Sequence, residues 1–211
     1  MVSLKASLKK ARVYLILDTQ VNGYDELFEI LKQSLNTGVD IVQLRDKFAK
    51  AIETLKFAKK AVRLINGRIP FIVNDRVDLA LASQAAGVHL GQDDLPISEA
   101  RKLMGKKAII GVSCQNLIQA QEAKKQGADY IGFGSVFKTE TKPDRQPMDL
   151  KLLKDAVSQI RIPIFAIGGI DLNNFLKIKA LGINKIAVCR AICQADRVGK
   201  ATKQFKEITG R

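Results

Sequence analysis

The chain has 211 residues, 35 basic and 21 acidic, for a formal net charge of +14, with three cysteines, three tyrosines and no tryptophan. A chain this long buries roughly 70% of its unfolded surface, so a single domain over residues 1–211 needs neither disulfide nor structural metal. The charge points to anionic partners, but the scattered lysines and few stacking rings argue against nucleic acid; most of the excess reads as a solvated lysine-rich surface, with which small phosphorylated ligands are compatible.

Residues 1–11 form a polar or helical lead-in. Val13 to Leu17 is a β-branched and aliphatic run closed by Asp18, Thr19 and Gln20. Leu27, Ile30, Leu31 and Leu35 then recur at helical spacing as far as Gly38. Ile41 to Leu44 is the second strand and ends in Arg45-Asp46-Lys47; the helix carrying Ile52, Leu55, Ala58, Ala61, Val62 and Ile65 stops at Gly67. Phe71 to Val73, an acidic turn at Asn74-Asp75, and a helix from Val77 through Ala85 and Ala86 to a stop at Gly87 lead into the fourth strand, Val88 to Leu90. Asp94-Leu95-Pro96 then starts a helix that runs through Ala100 and Leu103 to Gly105.

Ala108 to Val112 is the fifth strand, with Ser113 at its end; Leu117, Ala120 and Ala123 mark a helix stopped by Gly127, and Tyr130 to Gly134 is the sixth strand. A polar loop, Lys138 to Pro147, precedes a helix with Leu150, Leu153 and Val157. Pro163 to Ile167 is the seventh strand, followed by Gly168-Gly169-Ile170 and a helix through Phe175, Ile178 and Leu181 to Gly182. Ile186 to Val188 is the eighth, and a last helix is expected from about Ala191. Glycines 38, 87, 127 and 182 each precede an apolar strand, where a left-handed residue would end the helix.

Strict strand–helix alternation indicates a parallel sheet, and eight repeats predict an α/β protein of (β/α)₈ barrel form. A doubly wound open sheet is the alternative, but the glycine-rich first turn of that fold is missing after Val13 to Leu17. The three cysteines have no clustered metal-binding spacing, and Cys189 and Cys193 read as buried thiols. Together with the lack of a secretory leader and of any apolar run near the ~20 residues of a membrane span, they predict a cytoplasmic protein with no membrane partner. Homo-oligomerisation is compatible with the sequence.

In a barrel, strand-end residues line one mouth, where such folds hold their sites. Here they are Gln43, Arg45 and Lys47, then Asn74 and Asp75, Gln92 and Asp94, Ser113, Thr139, Thr141 and Lys142, and Gly168-Gly169. Asp75 and Asp94 follow neighbouring strands; two carboxylates about 5 Å apart would repel by roughly 3 kcal/mol without a counter-ion or a proton. Helix capping or solvated loops would account for each acid singly, whereas Mg²⁺ takes one or two carboxylates plus phosphate oxygens. Gly168-Gly169 with the start of the last helix could take a phosphate monoester, or be only a tight turn. His89 reads as structural, with a catalytic base as the alternative.

At these residues the sequence resembles the thiamine-phosphate synthase (thiamine phosphate pyrophosphorylase) family. The matching blocks are Gln43 to Lys47, Ile72 to Asp75, Gly87 to Asp94, Gly111 to Ser113, Thr139 to Lys142 and Ile167 to Ile170. The resemblance implies a transferase that joins an aminopyrimidine methyl diphosphate to a thiazole phosphate by dissociative loss of diphosphate. It further implies Mg²⁺ on Asp75 and Asp94, and the pyrimidine diphosphate on Gln43, Leu44, Arg45, Asp46, Lys47, Asn74, Ser113 and Lys142. Thr139, Glu140, Thr141, Gly169, Cys189 and Arg190 would hold the thiazole phosphate. Arg45, Lys47, Ser113 and Lys142 carry the expected catalytic roles. Ser135 and Lys138 stand where the family often has proline, and Arg190 where a small hydroxyl residue is common. The rival readings are a thiazole tautomerase on the same barrel and, from charge alone, a non-catalytic phosphate- or nucleic-acid-binding barrel.

Overall fold

Each apolar run expected to be a strand is one in the computed structural model, which describes residues 4–140 and 146–210. Thr141 and Lys142 therefore lie outside the described residues. The first half of the chain runs α1 (Leu4–Ser7), β1 (Val13–Asp18), α2 (Tyr24–Thr37), β2 (Ile41–Arg45), α3 (Ala51–Ile65), β3 (Phe71–Asn74), α4 (Val77–Ser83), β4 (Gly87–Leu90) and α5 (Ile97–Met104). The second half runs β5 (Ile109–Cys114), α6 (Leu117–Lys125), β6 (Tyr130–Phe133), α7 (Leu150–Gln159), β7 (Ile164–Ile167), α8 (Phe175–Lys179), β8 (Ile186–Val188), α9 (Arg190–Cys193) and α10 (Val198–Thr209). The strands close into a parallel barrel in sequence order. Pairing of β1 with β8, Tyr14 opposite Ala187, excludes the open sheet. Among the described residues no helix is long and apolar enough to cross a membrane.

Alternation along each strand divides the core in two. Outward residues such as Leu15, Leu44, Val73 and Val88 pack against the helices. Inward residues form a separate cluster of Tyr14, Ile16, Ile41, Ile72, Ile109, Tyr130, Phe165 and Ala187, with Leu8 and Ala11 of the lead-in packed on it. The Lys185 ammonium donates to the Lys9 and Ala11 carbonyls at 2.7 and 2.6 Å and ties that lead-in down. Within this cluster the rings of Tyr14, Tyr130 and Phe165 meet edge to face, with centroids 5.5 to 5.7 Å apart. Above them the inward positions turn polar: Gln43, Arg45, Asn74, His89 and Ser113. The column is thus dry at its base and hydrogen-bonding at its mouth.

Two expectations need correction. The helix before β4 ends at Ser83, and Gln84, not Gly87, supplies the left-handed residue (φ 58°). Gly87 is already in the strand, where a Cβ would lie 1.9 Å from the Ile109 carbonyl oxygen; close strand approach, not helix ending, requires it. The last helix is also not continuous: four residues form α9, and α10 begins only at Val198.

Gly111 shows how tightly the column is filled, since a Cβ there would sit 2.1 Å from Cζ of Tyr130. Overpacking of this kind costs about 1–3 kcal/mol. Gly111→Ala is therefore expected to lower the free energy of unfolding by that amount, read as a lower urea midpoint at unchanged slope.

Candidate active site

The barrel mouth opens into a cavity of about 450 Å³, a size suited to small-molecule ligands. Its wall includes Gln43, Arg45, Asn74, His89 and Ser113 on one side and Lys138, Thr139, Glu140, Gly168, Gly169, Cys189 and Arg190 on the other. Leu44 and Asp46 do not reach it. Leu44 points outward into the helix-facing core. The Asp46 carboxylate is occupied within its loop, accepting from Thr54 Oγ1 at 2.7 Å, Thr19 Oγ1 at 3.0 Å, Ala49 N at 3.1 Å and the Tyr24 hydroxyl.

Arg45 is held from behind. Register places it opposite Asp18, and its Nη1 donates to Asp18 Oδ2 at 2.6 Å and to Gln20 Oε1 at 2.8 Å. Asp18 is fully buried, so it is the ion pair that fixes the guanidinium at the cavity wall. In the sequence, Asp18 and Gln20 read only as the close of a strand. An acid and an arginine ending adjacent strands were the signal for that pair.

Lys47, Asp75 and Asp94 cluster at the rim beside Asn74. The Lys47 ammonium contacts Asp75 Oδ2, and the Asp75 and Asp94 carboxyls are themselves within hydrogen-bonding reach. Asp75 adopts a left-handed conformation, φ 60°, which costs a non-glycine residue about 1–2 kcal/mol. Its N–H donates to the His89 carbonyl at 2.8 Å, continuing the ladder from β3 to β4 and fixing the side chain at the mouth. Burial raises the Asp75 pKa, with the neighbouring Asp94 adding to the rise and Lys47 opposing it. Asp94 titrates below the usual range: burial opposes this, but hydrogen bonds from Asp75 and from Gly91 N–H, together with Lys47, outweigh it.

Two full charges about 4 Å apart repel by about 4 kcal/mol at an effective dielectric of ~20. The Lys47 ammonium relieves part of that here, and a divalent cation could relieve the rest. Among the described residues no group of three or more His, Cys, Asp or Glu side chains forms a metal cluster. An oxygen-only pair matches Mg²⁺, which keeps most of its shell for waters and phosphates.

On the opposite wall Gly168 and Gly169 both have positive φ, 106° and 62°. A Cβ at Gly169 would lie 2.2 Å from the Lys138 carbonyl oxygen, so the β7 turn and the loop after β6 touch through bare backbone. Asn174 Nδ2 donates to the Gly169 carbonyl at 2.7 Å and holds the turn. Arg190 reaches across to Glu140 at 3.4 Å, while its Nε is buried without a hydrogen-bond partner among the described residues. The four-residue α9 is too short to add the helix-end contribution expected of a long final helix. Cys193 is buried and Cys189 only partly so; the three cysteines are free thiols.

The sequence pattern of the thiamine monophosphate synthase family matches residues 13–192. A thiamine-phosphate synthase of Gloeobacter violaceus is 45% identical over 99% of this chain, which spans 60% of that protein's length. One from Fusobacterium nucleatum is 38% identical over 94% of this chain and 97% of its own. Among solved structures, thiamine phosphate pyrophosphorylase from Pyrococcus furiosus superposes with a TM-score of 0.85 at 36% identity, covering 98% of this chain and 97% of that one. With the closed barrel, the pattern match over residues 13–192 and relatives 38 and 45% identical across nearly all of this chain, the chain belongs to the thiamine monophosphate synthase family.

Proposed function

We propose that the chain acts as a thiamine-phosphate synthase, joining an aminopyrimidine methyl diphosphate to a thiazole phosphate with release of diphosphate. The observation that carries this reading is the Asp75–Asp94 pair with Lys47 at the edge of a cavity lined by Arg45, Asn74 and Ser113. A tautomerase handles no departing diphosphate and has no use for that arrangement. Asp75 and Asp94 would hold Mg²⁺, which when bound neutralises charge on the departing diphosphate.

The chain's own residues do the rest. Arg45, fixed by Asp18, and Lys47 offer charge-assisted donors to the diphosphate oxygens, with Lys142 assigned the same role by resemblance. Leu44 and Asp46 serve through backbone and loop shape. The bond to the pyrimidine methylene breaks as negative charge gathers on diphosphate, and the thiazole nitrogen captures the carbocation. No protein nucleophile is required. Gly169, Thr139, Glu140, Cys189 and Arg190 seat the thiazole phosphate on the far wall, with Thr141 assigned the same role by resemblance, so the two substrates meet in line. The free thiols suit a reducing compartment, and the cytoplasm is the proposed location.

Incubation of the purified protein with both substrates and Mg²⁺ is expected to yield thiamine phosphate and diphosphate; absence of product rejects the reading. Asp75→Asn and Asp94→Asn should each cut Mg²⁺-dependent diphosphate release by about 100-fold or more, the scale of losing one preorganised charge-stabilising contact. Chelation should silence the wild type until Mg²⁺ is restored. Arg190→Ala should raise the KM for the thiazole phosphate about tenfold, as expected for one charged hydrogen bond, while the KM for the pyrimidine diphosphate stays unchanged.

A further inference from the structure

A chain of polar groups crosses the barrel beneath the cavity. Gln43 Nε2 donates to the Tyr14 hydroxyl, which lies 2.7 Å from the Tyr130 hydroxyl. The Tyr130 hydroxyl is 3.0 Å from His89 Nδ1, and His89 Nε2 is 2.9 Å from Ser113 Oγ. Both phenols are almost fully buried. The space is reserved by glycine: Gly111 leaves room for the Tyr130 ring, and a Cβ on Gly132 would stand 3.2 Å from His89 Cε1.

Donor and acceptor rules give this chain a direction. An amide NH₂ can only donate, and the Gln43 amide serves the oxygens of both Tyr14 and Tyr130. Burial pushes both phenols up, so each keeps its proton. Among the described residues, the arrangement that leaves neither phenol proton without an acceptor has Tyr14 donating to Tyr130 and Tyr130 donating to His89 Nδ1. A neutral imidazole with an accepting Nδ1 carries its proton on Nε2 and donates it to Ser113 Oγ. The Ser113 hydrogen then has no place on the ring and turns to the cavity.

We propose that His89 is a positioning residue: the chain Gln43–Tyr14–Tyr130–His89–Ser113 holds its imidazole as the Nε2–H tautomer and thereby commits the Ser113 hydroxyl to donate to the substrate. This rests on the cavity being the seat of the pyrimidine diphosphate, whose unprotonated oxygens and ring nitrogens are acceptors. A substrate group that could only donate would meet Ser113 with two hydrogens opposed.

The chain contains one histidine, so ¹⁵N-histidine NMR of the full-length protein reports on His89 alone and needs no substrate. The expected result at neutral pH is a neutral ring protonated on Nε2, with Tyr130→Phe shifting the tautomer ratio by about tenfold, the weight of one hydrogen bond. A wild-type ring protonated on Nδ1 or on both nitrogens overturns the proposal, as does a ratio indifferent to Tyr130→Phe. The wild-type spectrum decides even where that variant fails to fold. Kinetically, Tyr130→Phe should lower kcat/KM for the pyrimidine diphosphate about tenfold. The double variant with Ser113→Ala should be no slower than Ser113→Ala alone, because Tyr130 acts through Ser113; additive losses also overturn the proposal. A protein that makes no thiamine phosphate yet shows the expected tautomer would separate failure of the assigned reaction from failure of the hydrogen-bond chain.

Discussion

A closed ring of parallel strands must fill its own interior, and the way this one is filled determines the rest of the molecule. Leu8, Ile41, Ile72 and Ile109 pack with three edge-to-face aromatic rings into one apolar column, and polar side chains begin only toward the mouth. Each polar atom at that boundary has to find a partner without help from bulk water. The outcome is a floor on which Gln43, His89 and Ser113 are oriented before any ligand arrives. Preorganisation of that kind is how enzymes avoid reorganising their donors during the reaction.

The mouth handles charge differently. Asp18 lies behind Arg45, and Lys47 beside Asp75 and Asp94, so each cation is aimed by an anion. The rim pair is the exception, since two acids share one ammonium there. Asp75 sits there in a left-handed backbone conformation, one that aspartate tolerates better than most side chains.

Much of this was legible in the sequence. The strands followed from apolar runs, and barrel closure from counting strand–helix repeats. The rim acids followed from the rule that strand ends share one mouth. What was hidden depends on contacts distant in sequence. Tyr14 and Tyr130 lie 116 positions apart, and nothing local in either strand says that their hydroxyls meet. Gly87 was misassigned because a glycine needed for close strand approach has the same local setting as one that ends a helix. Leu44 and Asp46 sit inside a motif matched as a block, but strand alternation turns Leu44 outward and the loop's own donors occupy Asp46. Arg190 marks the opposite case, a departure visible in the sequence whose contact with Glu140 needed the fold.

The pairing of Arg45 with a buried aspartate has a consequence for how the molecule meets anions. The chain as a whole carries +14, but the described part of its mouth is close to neutral: Asp18 offsets Arg45, and the rim acids offset Lys47. Long-range attraction of an anionic ligand thus belongs to the lysine-studded exterior and fades with ionic strength. Seating belongs to short, directional bonds that salt barely touches. Recoding the outer lysines would slow encounters yet leave the grip on a ligand already inside unaltered.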